Sequence, residues 1–369
     1  MKIEKVKISV ISMKLKTPFT THLEMVHERE GIVIEVINRE GVSGFGEVVA
    51  FSSPWYTEET VQTSLHMLKE FFIPMLFTSR VEHPSEITPI FNRLRRNFMA
   101  KAGLEMAMWD LYAKERNQSL SSLLGGTQDT IPSGVVVGAK STKETLLQIE
   151  RNLENGYKRV KVKISPENDY EYIHSIRNHF PDVQLMADAN SAYTLKDINR
   201  LKALDEFGLL MIEQPLGYED IVEHAKLQTS IQTPICLDES IVTFDDAKKA
   251  IELGSCRIIN IKAGRVGGIQ TVKDIHDYCL GKGVPVWCGG MLEFGISRAH
   301  NIAIASLPNF TIAGDISASS RYWEEDITTP EVIVRNGMID VPSRPGIGFE
   351  INRKRLEEVT IFEEDFTKQ

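Results

Sequence analysis

Five ionisable residues recur at one spacing: Lys163, Asp188, Glu213, Asp238 and Lys262 follow one another at intervals of 25, 25, 25 and 24 residues. Each closes a short apolar run, reading KVK, MAD, MIE, CLD and NIK. A strand, a loop, an amphipathic helix and a return together make one βα unit of about this length. Side chains in such a register fall at the C-terminal ends of successive parallel strands, where catalytic residues of barrels converge. One Asp after a strand is usually a helix cap or turn residue, and one Lys there is usually solvated. Those readings do not account for five such residues on five consecutive runs.

The register sits in a longer series. Apolar runs at Gly134–Gly138, Arg159–Ile164, Val183–Ala187, Leu209–Ile212, Pro234–Leu237, Arg257–Ile261, Val284–Trp287 and Phe310–Ala313 predict eight strands. Stretches such as Thr194–Phe207, Tyr218–Ser230 and Asp245–Leu253 carry apolar residues at helical spacing between them. Eight strands alternating with helices predict a closed parallel barrel. An open doubly wound sheet is the alternative, but no GxGxxG follows an early strand. Ahead of the series, strands are expected at Lys2–Met13, Gly31–Asn38 and Gly44–Glu47, and helices at about Thr57–Leu76 and Ala100–Glu115, an α+β unit. The tail from about Thr328 is richer in Pro, Gly and charge. It is either a separate extension or a return to the N-terminal unit.

Three neighbouring carboxylates repel one another unless a cation neutralises them. All-oxygen ligation by Asp188, Glu213 and Asp238 suits Mg²⁺, with Mn²⁺ as a substitute. Zinc fits less well, since no His or Cys lies in the register. Lys161 and Lys163 are two apart on a strand and face the same way. Two ammonium groups near a dication are expected to lower each other's pKa, so that one serves as a base. Lys262 arrives from the opposite side. A metal-held carboxylate between two amines points to proton abstraction from the adjacent carbon through an enediolate.

The gross numbers exclude other classes. A net charge of −9 without a long Lys/Arg run argues against a nucleic-acid or membrane-surface binder. The short cluster Arg93, Arg95 and Arg96 is expected on a solvated helix face. No stretch has the roughly 20 apolar residues that span a bilayer. The opening MKIEKVKISVISMKLKTPF alternates like a strand and lacks the apolar core of a signal peptide. Cys236, Cys256, Cys279 and Cys288 show no zinc-type spacing and are expected as reduced thiols in a cytoplasmic protein.

KVK, DAN, EQP, LDES and KAGRVGG, in order and in register, resemble the enolase superfamily in its muconate-lactonising subgroup. Such sites pair a Lys or His base with Mg²⁺. AFSSPWYTEET, WCGGMLEFGISRA and GDISASSRYW look most like the branch holding o-succinylbenzoate synthases of the Gram-positive type and N-acylamino acid (N-succinylamino acid) racemases. The resemblance implies a modified TIM-type (β/α)7β barrel over 126–327. An α+β capping domain would be formed by 1–125 and by a returning segment, 328–369. It implies Mg²⁺ on Asp188, Glu213 and Asp238, acid/base roles for Lys163 and Lys262, and an electrostatic role for Lys161. The activity it implies is dehydration in menaquinone synthesis, racemisation, or both.

The resemblance also implies that two cap loops, Phe19–Arg29 and Ala50–Tyr56, close over a small carboxylate substrate, and that the chain is a homo-oligomer. Phe19, Trp55, Tyr56, Asn190, Arg265, Gly290 and Glu293 are candidate substrate contacts, each with a plain structural reading beside it. Asn190 could cap a turn, Arg265 could lie on the surface and Glu293 could be structural. Glu239 is either beside the metal or on the surface. Dipeptide epimerases carry Asp-x-Asp where this chain has Gly314-Asp315-Ile316-Ser317, with one Asp. A His base of the mandelate-racemase kind is disfavoured, because His276 lies in a helical stretch. A muconate-cycloisomerase-like enzyme shares the five residues. A non-catalytic binding barrel is disfavoured by the presence of all five.

Overall fold

The computed structural model describes residues 1–20, 24–138 and 141–368. Strands β1 (Ile3–Thr20), β2 (Met25–Asn38) and β3 (Ser43–Val48) form an antiparallel sheet. In β1, Val6, Ile8 and Val10 are buried while Lys5 and Lys7 lie outward; beyond Val10 the buried set becomes Ile11, Met13 and Leu15. The change falls where the ladder to the neighbouring C-terminal strand shifts by one residue, as a β-bulge does. The expected loop at Phe19–Arg29 is mostly strand: β1 runs to Thr20 and β2 starts at Met25, and residues 21–23 lie outside the described ones.

The helix Phe98–Glu115 packs on β3 with residues 99–113 all buried. Gly44 and Gly46 permit the contact: a Cβ on Gly46 would stand 2.0 Å from the Gly103 carbonyl oxygen. The expected helix Thr57–Leu76 is shorter at its start, running from Val61 to Thr78 through a π-turn at Leu68–Phe72. Arg93, Arg95 and Arg96 lie in the turn before the Phe98–Glu115 helix, not on a helix face. Left-handed φ of 55° at Arg96 and 57° at Asn97 breaks the helix there.

After β4 (Thr130–Pro132) come the strands β5 (Val135–Val137), β6 (Arg159–Lys163), β7 (Gln184–Asp188), β8 (Ile212–Glu213), β9 (Ile235–Leu237), β10 (Ile258–Ile261) and β11 (Val286–Cys288). They pair in parallel in the order of the chain, as one curled seven-stranded sheet. The eighth predicted strand, Phe310–Ala313, is not one. That segment makes single parallel bridges, Val286 with Phe310 on one side and Ser133 with Gly314 on the other. It closes the barrel seam with too few ladder bonds for a strand. Gly314 is needed there, since a Cβ would stand 2.8 Å from the Cys288 carbonyl oxygen. The tail forms β12 (Thr328–Thr329), β13 (Met338–Asp340), β14 (Glu350–Ile351) and β15 (Thr360–Thr367). β13 pairs with β4, and β15 pairs with β1, so the chain's end rejoins the N-terminal sheet. No helix among the described residues is long and apolar enough to cross a membrane.

Candidate active site

Alternation along the strands layers the barrel interior. Met186, Met211, Cys236, Ile258 and Trp287 make a buried apolar floor. Two residues further along the same strands stand Asp188, Glu213, Asp238 and Asn260, with Lys161 above Arg159 on β6. The Lys161 ammonium lies 5.0 Å from the centre of a Trp287 ring. Register aligns Lys163 with Asp188 and Asp188 with Glu213, while Glu213 aligns with Cys236, two residues before Asp238. The strand ends are therefore staggered, as a sheared barrel requires.

The carboxylates and ammonium groups form one buried network. Lys163 Nζ donates to Asp188 Oδ2 at 2.6 Å and to the Asn190 side-chain oxygen. Lys161 Nζ reaches Glu213 Oε2 at 3.0 Å, Asp188 Oδ2 at 3.4 Å and Asp315 Oδ2 at 2.6 Å. Lys262 Nζ donates to Asp238 Oδ2 at 2.8 Å, and Arg265 donates to the other oxygen of Asp238. Burial and the charges of Asp188 and Asp238 push Glu213 up to about 8. The surrounding carboxylates hold Lys161 and Lys262 above the ordinary lysine range. Burial does pull Lys161 and Lys262 down, but Asp315, Glu213 and Asp188 outweigh it at Lys161, and Asp238 outweighs it at Lys262.

The donor set of Asp188, Glu213 and Asp238 is all oxygen, carboxylate and mutually repelling, which fits a hard dication. As the side chains stand, ammonium groups engage those oxygens, and no cluster of three His, Cys, Asp or Glu among the described residues is arranged around one point. Two buried acceptors beside them, Glu239 Oε2 and Asn260 Oδ1, have no hydrogen-bond partner. Positive φ at Asn190 (40°), Ser191 (66°), Gln214 (39°) and Leu292 (54°) marks the loops that leave these strand ends. Strain of this kind persists where surrounding contacts fix it, often at functional sites.

Lys161, Lys163, Asp188 and Lys262 open into a chamber of about 100 Å³, walled by Phe19, Phe51, Trp55 and Tyr56 from the N-terminal unit. The Tyr56 hydroxyl accepts from Lys262 Nζ at 2.8 Å and from Arg265 Nη1 at 3.0 Å. Burial, then Asp238, pushes this phenol up to about 12. Trp55, Tyr56, Asn190 and Glu239 also line an open cleft of about 1480 Å³. A chamber this small lies below the roughly 300 Å³ of ordinary ligand pockets.

Every candidate contact from the sequence except Arg265 lines the chamber: Phe19, Trp55, Tyr56, Asn190, Gly290 and Glu293, and Glu239 does too. Arg265 lies just behind, 2% exposed, on Asp238 and Tyr56. Glu293 is buried and accepts from the Met291 amide and from Asn301 Nδ2. His276 sits in the helix Ile269–Lys282 and does not line the chamber. Sequence reasoning gave no role to Arg159, Asn260 or Asp315. Arg159 and Asp315 pair at 2.6 Å, and Asn260 Nδ2 donates to Glu213 Oε1 at 2.7 Å. The signal for Arg159 and Asn260 was in the period of two: each stands two residues before a lysine already singled out.

Two family profiles cover most of the chain: the mandelate racemase / muconate lactonizing enzyme N-terminal domain at residues 3–125, and the enolase C-terminal domain-like family at 144–355. The chain belongs to the enolase superfamily. Within it, an o-succinylbenzoate synthase of Geobacillus stearothermophilus is 57% identical over 99% of this chain and 97% of its own length. An N-succinylamino acid racemase of Thermus thermophilus is 42% identical over 98% of each chain. A crystal structure of an enolase-superfamily member from Listeria innocua superposes with a TM-score of 0.98 at 41% identity, covering both chains fully. The enolase-superfamily architecture thus holds for the curled sheet and its cap alike.

Proposed function

We propose that this enolase-superfamily enzyme is a Mg²⁺-dependent o-succinylbenzoate synthase that also racemises N-succinylamino acids. The observation that carries the reading is the pair of lysines, Lys163 and Lys262, lining one chamber with three acidic strand ends between them. Asp188, Glu213 and Asp238 would hold Mg²⁺, for which Mn²⁺ can substitute. When bound, the metal supplies positive charge to the substrate carboxylate. In this reading 1–125 and 328–369 form the cap and 126–327 the barrel, in a cytoplasmic homo-oligomer of menaquinone synthesis. Four buried free cysteines agree with a reducing setting.

The substrate is 2-succinyl-6-hydroxy-2,4-cyclohexadiene-1-carboxylate. Lys163 acts as the base and takes the proton from the carbon bearing the carboxylate. The C–H electron pair moves into the carboxyl group and gives an enediolate. Collapse of the enediolate expels the ring hydroxyl, which leaves as water with the proton Lys163 returns, and the ring becomes aromatic. Lys262 stays charged and stabilises the enediolate. Asn190 holds Lys163, and Tyr56 holds Lys262. Racemisation is the second reading, favoured by the placement of the two lysines on β6 and just past β10, four strands apart in the sheet. One lysine would take the α-proton and the other would return one to the opposite face.

Paired assays on one Mg²⁺-loaded sample test this. One follows dehydration of the cyclohexadiene, the other optical rotation of an N-succinylamino acid. Dehydration with slower or comparable racemisation supports the proposal. Turnover of neither substrate refutes it.

A further inference from the structure

Two buried carboxylates of the N-terminal unit end on backbone amides of the barrel. Glu47, in β3, accepts from the amides of Phe294 and Ser297, each at 2.8 Å. Glu105, in the Phe98–Glu115 helix, accepts from the amides of Ile269 at 2.8 Å and Gln270 at 2.9 Å. Both are 1% exposed. The amides they meet open the helices Gly295–Ala305 and Ile269–Lys282. A helix start leaves its first amides without partners, and a side-chain oxygen normally satisfies one. These two helices begin after Phe294 and Gly268, which provide no such oxygen.

The helices Thr142–Glu154, Tyr170–His179, Val222–Ser230 and Phe244–Leu253, and the 3-10 turn Leu195–Asp197, are capped from their own approach loops, by Ser141, Asp169, Asp220, Thr243 and Thr194, while the four-residue helix Ala263–Val266 has no side-chain cap. Borrowed caps therefore occur on the helices that follow β10 and β11. Those strand ends carry Lys262 and the chamber wall Gly290–Glu293. Gly268 makes room for one cap, since a Cβ there would stand 2.4 Å from Glu105 Oε2. On the other side, Glu47 leads straight into Val49 and Ala50, whose carbonyls accept from buried Arg29 at 2.6 and 2.7 Å. The Arg29 guanidinium lies 4.4 Å from the centre of the Phe51 ring, and Phe51 packs on Trp55 at 4.6 Å. From the start of the helix Gly295–Ala305 the contacts run unbroken through Glu47, Arg29 and Phe51 to the Trp55–Tyr56 wall.

We infer that Glu47 and Glu105 are positioning residues that hold the cap in register with the Lys262 side of the chamber. The lysines agree with a one-sided anchor: the Lys262 side chain is 9% exposed and that of Lys163 is 34% exposed. Each carboxylate presents two acceptor oxygens to two amides. A glutamine keeps one acceptor and turns a donor toward the second amide, at the cost of a charge-assisted bond. The reacting groups stay on the barrel while the substrate wall shifts with the cap.

The turnover readout rests on the proposed activity, and the exchange readout does not. Glu47→Gln and Glu105→Gln are each made in the full chain with Mg²⁺, and kcat, KM and hydrogen exchange of the 49–56 peptide are measured. Each variant is expected to raise KM about tenfold with kcat within about threefold, and to speed exchange over 49–56. Unchanged KM and exchange, or a fall in kcat alone, would overturn the inference. Wild-type protein decides if neither variant folds. Its Phe294, Ser297, Ile269 and Gln270 amides should exchange as slowly as the helices they open, and rapid exchange overturns the inference. If wild type turns over neither proposed substrate, the activity reading falls and exchange alone decides this one.

Discussion

Asp315→Asn is the sharpest perturbation of the barrel seam. Asp315 lies just past the irregular segment that closes the barrel, and its carboxylate bonds Arg159 and Lys161 at 2.6 Å each. Burial pushes Asp315 up, but Lys161 and Arg159 outweigh it and hold the carboxyl below its ordinary range. Removing one partner of a buried ion pair costs about 3–5 kcal/mol. Arg159 keeps the Ala313 carbonyl at 2.8 Å, and Lys161 keeps Glu213 and Asp188, so the lower end applies, about 3 kcal/mol.

Over 369 residues at about 2.1 cal/mol/K each, unfolding entropy is roughly 0.8 kcal/mol/K, so Tm should fall about 4 °C. The depressed pKa fixes the pH sense: this stabilisation is present above the unfolded value of about 3.9 and is lost as pH falls below it. The gap between variant and wild type should therefore close in acid. Lys161 is then left to Glu213 and Asp188 alone, two of the proposed Mg²⁺ ligands, so half-saturating Mg²⁺ should rise about tenfold. Calorimetry and a Mg²⁺ titration of turnover read both effects. A Tm within about 1 °C of wild type and an unmoved Mg²⁺ dependence would refute the clamp assigned to Asp315.

Lys163→Ala should lower kcat by about 10³ without unfolding the barrel, and near-normal turnover would sink its role as base. Exhaustive chelation should abolish activity and Mg²⁺ restore it; full activity after chelation would contradict the assignment of Asp188, Glu213 and Asp238. Tyr56→Phe removes the hydroxyl between Lys262 and Arg265 and should cost about tenfold in kcat/KM, while an unchanged value would leave that contact without consequence.

The strand register was legible because a period of two in strands and of about 25 in βα units both survive in one sequence. Those two periods put Lys163, Asp188, Glu213, Asp238 and Lys262 at the ends of successive strands. What could not be read depends on contacts between distant segments. Whether Phe310–Ala313 zips into a ladder is decided by Gly314 against Cys288 and by Ser133, not by its own apolar residues. Glu47 in GFGE reads as an ordinary strand-end acid, because the helix amides it meets lie 247 and 250 residues on. The charges that hold Lys161 and Lys262 high were not readable for the same reason, since the carboxylates Asp188, Glu213, Asp238 and Asp315 come from four other segments.

The charges around the chamber constrain the substrate further. Among the described residues its wall carries Lys161, Lys163, Lys262 and Arg298 against Asp188, Glu239, Glu293 and Asp315, four of each sign. A dication adds two positive charges to a balanced, buried space, and buried charge is tolerated only when it is neutralised. A substrate with two carboxylates restores the balance, and one with a single carboxylate does not. Both proposed substrates are dicarboxylates, so electrostatics does not choose between synthase and racemase. It does separate both from monocarboxylate analogues. An N-acetylamino acid should bind the Mg²⁺-loaded enzyme about tenfold or more weakly than the N-succinyl compound, by calorimetric titration. The gap should narrow as ionic strength rises only if the distal carboxylate stays solvated. Equal affinity would mean that the wall charges are neutralised within the protein and that the second carboxylate goes unread.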